Sequence, residues 1–247
     1  MSLEGSLTSP FVCLVMPAYN EAGRNGLEFG ISRAIEQAHQ GLSGKYDDDY
    51  EIFVADDGST DNTVAIAEAA GATVLRLPHR GKGHAVRRGM QATGADFRAF
   101  VDADGSFHIN DVIGLLDRVM RDADVAVAER RRGTDMASPD ANKWRALASK
   151  TISWASHKIV PTGVKDTQCG AKAFRGPVAD KLYGLATVDE FASDIEIIWT
   201  AEKLGYKVVS QACEVTPVDD SHVHWDDGIT LLWDCVGIRL DSIDRQN

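Results

Sequence analysis

The sequence predicts an α/β protein with a mainly parallel central sheet and helices on both faces. Through the first hundred residues, short apolar runs alternate with amphipathic helical stretches, the pattern of a covered parallel sheet. Two of those runs end in acidic, glycine-containing turns, Asp56-Asp57-Gly58-Ser59-Thr60-Asp61 and Asp102-Ala103-Asp104-Gly105. In an open parallel sheet the carboxyl ends of the strands form the ligand crevice, so both turns are expected to open into one site. The chain's 247 residues, 44% hydrophobic and 26% charged, suffice for a substantial core.

The elements follow in order. Phe11 to Met16 is a continuous apolar run ended by Pro17, a buried first strand. Ile31, Ala34, Ile35, Ala38 and Leu42 recur at helical spacing. Glu51 to Val54 is the second strand, and Thr63 to Ala70 an alanine-rich helix with Ser59, Thr60 or Asp61 available as its N-cap. Thr73 to Leu77 is a third strand, Lys82 to Thr93 a third helix, and Arg98 to Val101 a fourth strand. Beyond residue 105 the alternation loosens. Ile109 to Arg121 and Asn142 to Val160 read as helices, Asp124 to Glu129 as a strand, Phe191 to Leu204 as a helix and Tyr206 to Val215 as a strand.

The net charge of −11 argues against nucleic acid as a partner, because phosphate backbones reward basic surfaces. Cys13, Cys169, Cys213 and Cys235 lie far apart with no C-x-x-C pair, which suggests reduced thiols rather than a zinc site or a disulfide framework. No apolar run approaches the roughly 18 residues of a spanning helix, and the N-terminus lacks a signal pattern, so a cytoplasmic protein is expected.

Asp102 and Asp104, two apart in an extended segment, would point the same way and offer hard oxygens to Mg²⁺ or Mn²⁺ bridging to a diphosphate. An acidic strand end capping the next helix is the competing reading. Asp56-Asp57-Gly58-Ser59 is a turn entering a helix, either simple turn chemistry or a carboxylate holding a base N–H. His79-Arg80-Gly81-Lys82-Gly83-His84 opens a helix with glycines and cations, a diphosphate clamp or a solvated turn. Glu129 to Arg132, with Lys143 and Arg145, is either an exposed charged face or a grip on an anionic acceptor. Asp194 and Glu196 lie beside Ile195, Ile197, Ile198 and Trp199, apolar company that could leave a carboxylate as a base. His222 and His224 lie in an acidic loop that is read as mobile, with a further metal ligand as the other option.

Together these segments resemble the family 2 glycosyltransferases of the GT-A fold. The resemblance rests on Val15-Met16-Pro17-Ala18-Tyr19-Asn20-Glu21, Asp56 to Asp61, Gly81-Lys82-Gly83 and Val101 to Gly105, in that order. Within the family the chain is most similar to the branch that loads sugar onto polyprenyl or dolichyl phosphate, through Lys165 to Arg175 and Phe191 to Glu196. The resemblance implies that Pro17, Ala18, Tyr19 and Glu21 line the nucleoside pocket and that Asp56 holds the base. Lys82 would face the diphosphate, Asp102 and Asp104 would hold nucleotide and metal, and Arg130 and Arg145 would surround an acceptor phosphate. The sequence departs from some relatives at Ser106, where they place a further metal-binding Gln.

The expected organisation is a disordered or tag-derived stretch at 1–10, a GT-A domain at 11–215, and a C-terminal loop and amphipathic helix at 216–247. The domain divides into a nucleotide-sugar half at 11–106 and an acceptor half at 107–215. The acids at Asp234, Asp241 and Asp244 favour core packing or a homodimer over membrane binding for the C-terminal helix. The expected activity is metal-dependent, inverting transfer of a hexose from a UDP-glucose or GDP-mannose type donor to an acceptor phosphate, polyprenyl phosphate first. Peripheral membrane contact would accompany that acceptor. A soluble transferase using a small or hydroxyl acceptor, with Asp194 as base, and a nucleotidyltransferase releasing pyrophosphate are the alternatives.

Overall fold

The computed structural model describes residues 10–22, 30–131, 155–216 and 225–244. Its centre is a seven-stranded sheet built from β1 (Val12–Ala18), β2 (Tyr50–Asp56), β3 (Thr73–Arg76), β4 (Phe97–Val101), β5 (Val125–Arg130), β6 (Ala171–Arg175) and β7 (Val208–Cys213). The spatial order is β3-β2-β1-β4-β6-β5-β7. Pairings are parallel except those of β6, which runs antiparallel between β4 and β5. The expected mainly parallel α/β architecture is therefore present, with one reversed interior strand.

Strand β1 shows why both faces are covered. Val12, Leu14 and Met16 enter one core, while Cys13 and Val15 enter the other, as the two-residue period of a strand requires. Helices α1 (Ile31–Tyr46), α2 (Thr63–Ala69) and α4 (Ile109–Arg121) pack on the first face. Helices α3 (Lys82–Gln91), α5 (Gly176–Leu185) and α6 (Ser193–Lys203) cover the second. Helix α7 (Trp225–Asp244) forms a third layer, placing Leu231, Cys235 and Ile238 against Ile195 and Trp199 of α6 and against Val160. Core packing is thus one role of this helix. Its opposite side leaves Trp233, Val236 and Leu240 exposed.

Several expectations need correction. Strand β1 runs through Pro17, not up to it; pairing with β4 stops at Val15, so proline's missing N–H falls where only β2 is paired. The N-cap position of α2 is Asn62, and it makes no side-chain cap bond; Asp61 Oδ1 instead accepts from the Thr63 amide at 2.9 Å. Strand β6 and helix α5 were not expected at all. The helix expected from Asn142 to Val160 lies mostly outside the described residues, with 155–159 helical. Asp102 and Asp104 do not continue β4, which ends at Val101; they sit in a turn closed by Gly105 at φ +73°.

With β2 and β3 on one side of β1 and β4 on the other, the connections diverge between β1 and β4, the place where such sheets bind ligands. The residues after β1, β2 and β4 meet at that edge.

Candidate active site

The loops after β1 and β2 are tied together by short polar bonds. Asn20, in the left-handed region at φ +53°, donates its amide to Ser59 Oγ at 2.9 Å and accepts from the Thr60 amide at 2.8 Å. The Glu21 amide donates to Thr63 Oγ1 at 2.7 Å, and the Ala22 amide to Asp61 Oδ2 at 3.1 Å. Pro17, Ala18, Glu21 and Asp56 are buried beneath this surface, while Tyr19 is 38% exposed. The Asp56 carboxylate accepts from the Ser59 amide at 3.2–3.3 Å.

The neighbouring Asp57 organises the next loop, a role the sequence reading had not assigned. Its buried carboxylate accepts from the backbone amides of Arg80 at 3.0 Å and Gly81 at 2.8 Å, and lies 2.8 Å from His79 Nδ1. Three donors converging on one carboxylate fix the approach to α3. Gly81 is required there: its φ is +112°, and a Cβ would run into the Glu190 carboxylate. From the other side, Asp189 accepts the His84 amide on its carbonyl at 2.9 Å and pairs through its side chain with Arg87. The imidazole of His79 also stacks on Tyr19, with centroids 4.2 Å apart and planes 15° from parallel. A stacked aromatic pair therefore stands beside the loop residues expected to receive the nucleoside.

Lys82, the first residue of α3, reaches across to the turn after β4. Its Nζ lies 2.6 Å from Asp102 Oδ1, with both side chains about a quarter exposed. Burial pushes the Lys82 ammonium down, but the carboxylates of Asp102, Asp194 and Asp104 outweigh it and hold the group above its ordinary value. Asp102 is raised above the usual carboxylate range, first by burial and then by Asp104, against the lowering effect of Lys82. Asp104 Oδ1 accepts from the Ser106 amide at 2.9 Å, so Ser106 braces the turn through its backbone. The Asp102 amide donates to the Gly170 carbonyl at 2.9 Å, and a Cβ built at Gly170 would collide with Asp102 Oδ2.

Two carboxylates held on one tight turn at the open end of the sheet, against the repulsion of their like charges, suit a hard divalent cation that takes its remaining ligands from water and phosphate. Among the described residues no group of three His, Cys, Asp or Glu side chains is arranged to hold a metal. His222 and His224 lie outside those residues.

On the second half of the crevice, Asp194 opens α6 and its Oδ1 lies 2.8 Å from Nζ of Lys172, a fully buried lysine. Glu196 accepts from the amides of Thr187 and Val188 at 3.0–3.1 Å and from the Thr187 hydroxyl at 2.8 Å, holding the loop before α6. Arg130, at the end of β5, makes a two-pronged contact with Asp166 at 2.8 and 3.0 Å. Arg145 lies outside the described residues. The structure thus gathers Lys82, Asp102, Asp104 and Asp194 into one electrostatic cluster, and sets Tyr19, Glu21 and Asp56 along the adjoining loops. Sequence reasoning missed Asp57 and Lys172. Asp57 stood beside the chosen Asp56, and Lys172 lay inside a segment quoted only for its resemblance.

The pattern of the family described as Glycosyl transferase family 2 matches residues 13–181. The dolichyl-phosphate beta-glucosyltransferase of Drosophila melanogaster is 30% identical over 234 residues, covering 89% of this chain and 71% of the relative. That of Dictyostelium discoideum is 28% identical over 246 residues, covering 93% and 74%. Among solved structures, glucosyl-3-phosphoglycerate synthase from Mycobacterium tuberculosis, in complex with phosphoglyceric acid, superimposes with a TM-score of 0.68 at 22% identity, covering 92% of this chain and 80% of that one. Mannosyl-3-phosphoglycerate synthase from Rubrobacter xylanophilus gives 0.69 at 20% identity, covering 96% and 75%. These two likenesses concern the fold, which is GT-A. With the family pattern spanning well over half of the chain and the crevice carrying its acidic turns, this protein is a glycosyltransferase belonging to family 2.

Proposed function

We propose that the protein transfers a hexose, with inversion, from a nucleotide-diphosphate sugar of the UDP-glucose or GDP-mannose type to an acceptor phosphate, polyprenyl phosphate being the first candidate. The observation that carries this reading is the convergence of Lys82, Asp102 and Asp104 at the sheet's open edge, beside the Tyr19–His79 platform. The lipid acceptor is supported by the curated relatives, named for dolichyl phosphate.

Each part of the crevice has a task in that reaction. Tyr19, Glu21 and Asp56, above Pro17 and Ala18, receive the nucleoside. Asp102 and Asp104 would hold a divalent cation, which would supply neutralisation of the charge that develops on the departing diphosphate. Lys82 adds a second positive charge on the same leaving group. Arg130, and Arg145 where the family places it, orient the acceptor. A phosphate acceptor is already anionic and attacks the anomeric carbon without a proton acceptor. That version is supported by Asp194, whose carboxylate is engaged by Lys172. A hydroxyl acceptor would need Asp194 as base.

The test is incubation with UDP-[¹⁴C]glucose or GDP-[¹⁴C]mannose, Mn²⁺ and a short-chain polyprenyl phosphate, followed by extraction of labelled lipid. Labelled glycolipid, dependent on the phosphate and on metal, is expected. Transfer to phosphoglycerate and not to the lipid would move the acceptor to a small soluble anion. Transfer to an alcohol that is abolished in Asp194→Asn would establish the hydroxyl version.

A further inference from the structure

Beyond engaging Asp194, Lys172 has no assigned task, yet its side chain is the most deeply buried charge among the described residues. It lies on β6, the reversed interior strand, in register with Phe100 of β4 on one side and Val127 of β5 on the other. Its side chain is fully buried, and its Nζ stands 5.1 Å from the centre of the Phe100 ring. An ammonium in such surroundings is costly unless its donors are used. Two are. One goes to the Cys169 carbonyl at 2.9 Å and one to Asp194 Oδ1 at 2.8 Å.

Those two contacts lead to different walls of the crevice. Holding the Cys169 carbonyl closes the turn Cys169–Lys172, and that turn presents Gly170 to Asp102. Gly170 accepts the Asp102 amide at 2.9 Å and sits so close that it leaves no room for a side chain beside the Asp102 carboxylate. The position of Asp102 is thereby set from beneath by a backbone that Lys172 holds. The other contact fixes Asp194 in the first turn of α6, where its charge acts on Lys82 together with that of Asp102. A single buried cation therefore locks the acidic turn and the start of α6 to the same strand.

We propose that Lys172 is a positioning residue of the nucleotide-sugar site, setting the placement of Asp102 through the Cys169–Gly170 backbone and of Asp194 directly. This rests on the transferase reading for its importance to catalysis, but binding alone can test it. The single variant Lys172→Met leaves the Asp194 carboxylate without its partner and risks the fold. The double variant Lys172→Met/Asp194→Asn removes both charges and keeps the volume, a change that buried ion pairs commonly tolerate.

Binding of UDP and of GDP in the presence of Mn²⁺ is measured by calorimetry for wild type and the double variant, with thermal unfolding as control. The expected result is a melting midpoint close to wild type and nucleotide binding with Mn²⁺ weakened about tenfold or more, the scale of losses when supporting contacts around metal ligands are removed. The transfer rate should fall further, by about 100-fold, because small misplacements of reacting groups are costly. A folded double variant that binds nucleotide and Mn²⁺ as tightly as wild type overturns the proposal. Weakened binding in the variant, with no sugar transfer by wild type to any acceptor, upholds the positioning role and sinks the proposed function. Wild type that binds neither nucleotide overturns both.

Discussion

Lys82 Nζ and Asp102 Oδ1 lie 2.6 Å apart, so the lysine at the start of α3 and the first acid of the turn after β4 form an ion pair. If Asp102 is to hold a cation and Lys82 a diphosphate, this pair has to open when both arrive. A cation alone must displace the ammonium from a carboxylate it already satisfies. A cation arriving with a diphosphate finds a new partner for Lys82 as well.

The first prediction follows from that exchange. Lys82→Met should bind Mn²⁺ alone more tightly than wild type, because Asp102 no longer has a competing cation. The same variant should bind UDP with Mn²⁺ roughly 10- to 100-fold more weakly, the equivalent of a charged hydrogen bond worth about 1.5–3 kcal/mol. Calorimetric titration of Mn²⁺ with and without nucleotide checks both signs. Loss of affinity in both titrations would mean that Lys82 supports the acidic turn and does not compete for it.

Gly170 gives a sharper probe of the acidic turn. Its Cβ position is occupied by the Asp102 carboxylate, and its backbone lies outside the left-handed region. Gly170→Ala should therefore fold but force Asp102 aside. Metal-dependent nucleotide binding should fall about 100-fold with little change in melting temperature. A variant that binds as wild type would show that Asp102 can move without consequence.

Asp57 tests a structural role. Removing its charge through Asp57→Asn weakens the acceptor for two backbone amides and His79, which are the anchors of the loop leading to Lys82. An amide can accept on one oxygen only, and its NH₂ faces donors. A loss of about 1–3 kcal/mol in stability is expected, together with a raised KM for the donor. Chemical denaturation and steady-state kinetics provide the two readouts.

The readable parts of this chain were those whose signal is local. Helix α4 runs from Ile109 to Arg121 as expected, because Val112, Leu116 and Val119 fall on one face. Strands β1, β2 and β4 were visible as apolar runs cut off by proline or acids. Strand β6 was not, although it lies inside the sheet between β4 and β5. Ala171 to Arg175 contains no β-branched residue, and Lys172 and Arg175 make it look like a surface segment. What buries Lys172 is Asp194, twenty-two residues away, a partner no periodicity reveals. The separate role of Asp57 was hidden for a related reason. Both follow the same apolar run, but β2 ends at Asp56, so neighbouring carboxylates leave in different directions to different loops.

The four cysteines allow a prediction about chemistry that should not occur. All are buried and free. Burial pushes the thiols of Cys13 and Cys169 up to about 12, and those of Cys213 and Cys235 up to about 11. At pH 8 each is then neutral, with thiolate at about one part in a thousand or less. Native protein should give no reaction with Ellman's reagent over minutes, and four thiols should react once guanidinium unfolds it. Reaction of one thiol in the native state would identify an element that opens locally.

Asp166 supplies the pH dependence. Burial raises its carboxyl, but the hydrogen bonds and charge of Arg130 outweigh this and hold it below the ordinary carboxylate range. A group lowered in the folded state stabilises it above the unfolded value of about 4, and that contribution drains away as pH falls through the lower folded value. With the Arg130 side chain 56% exposed, the contribution is small, about 1 kcal/mol at most. Asp166→Asn should therefore melt slightly below wild type at pH 7, and the difference should shrink towards zero as the pH is taken well below 4. The same variant removes the two-pronged Asp166 contact from the Arg130 guanidinium, so the KM for a phosphate acceptor should rise while that for the donor stays unchanged. An unchanged acceptor KM would remove Arg130 from the acceptor site and leave the pair a structural one.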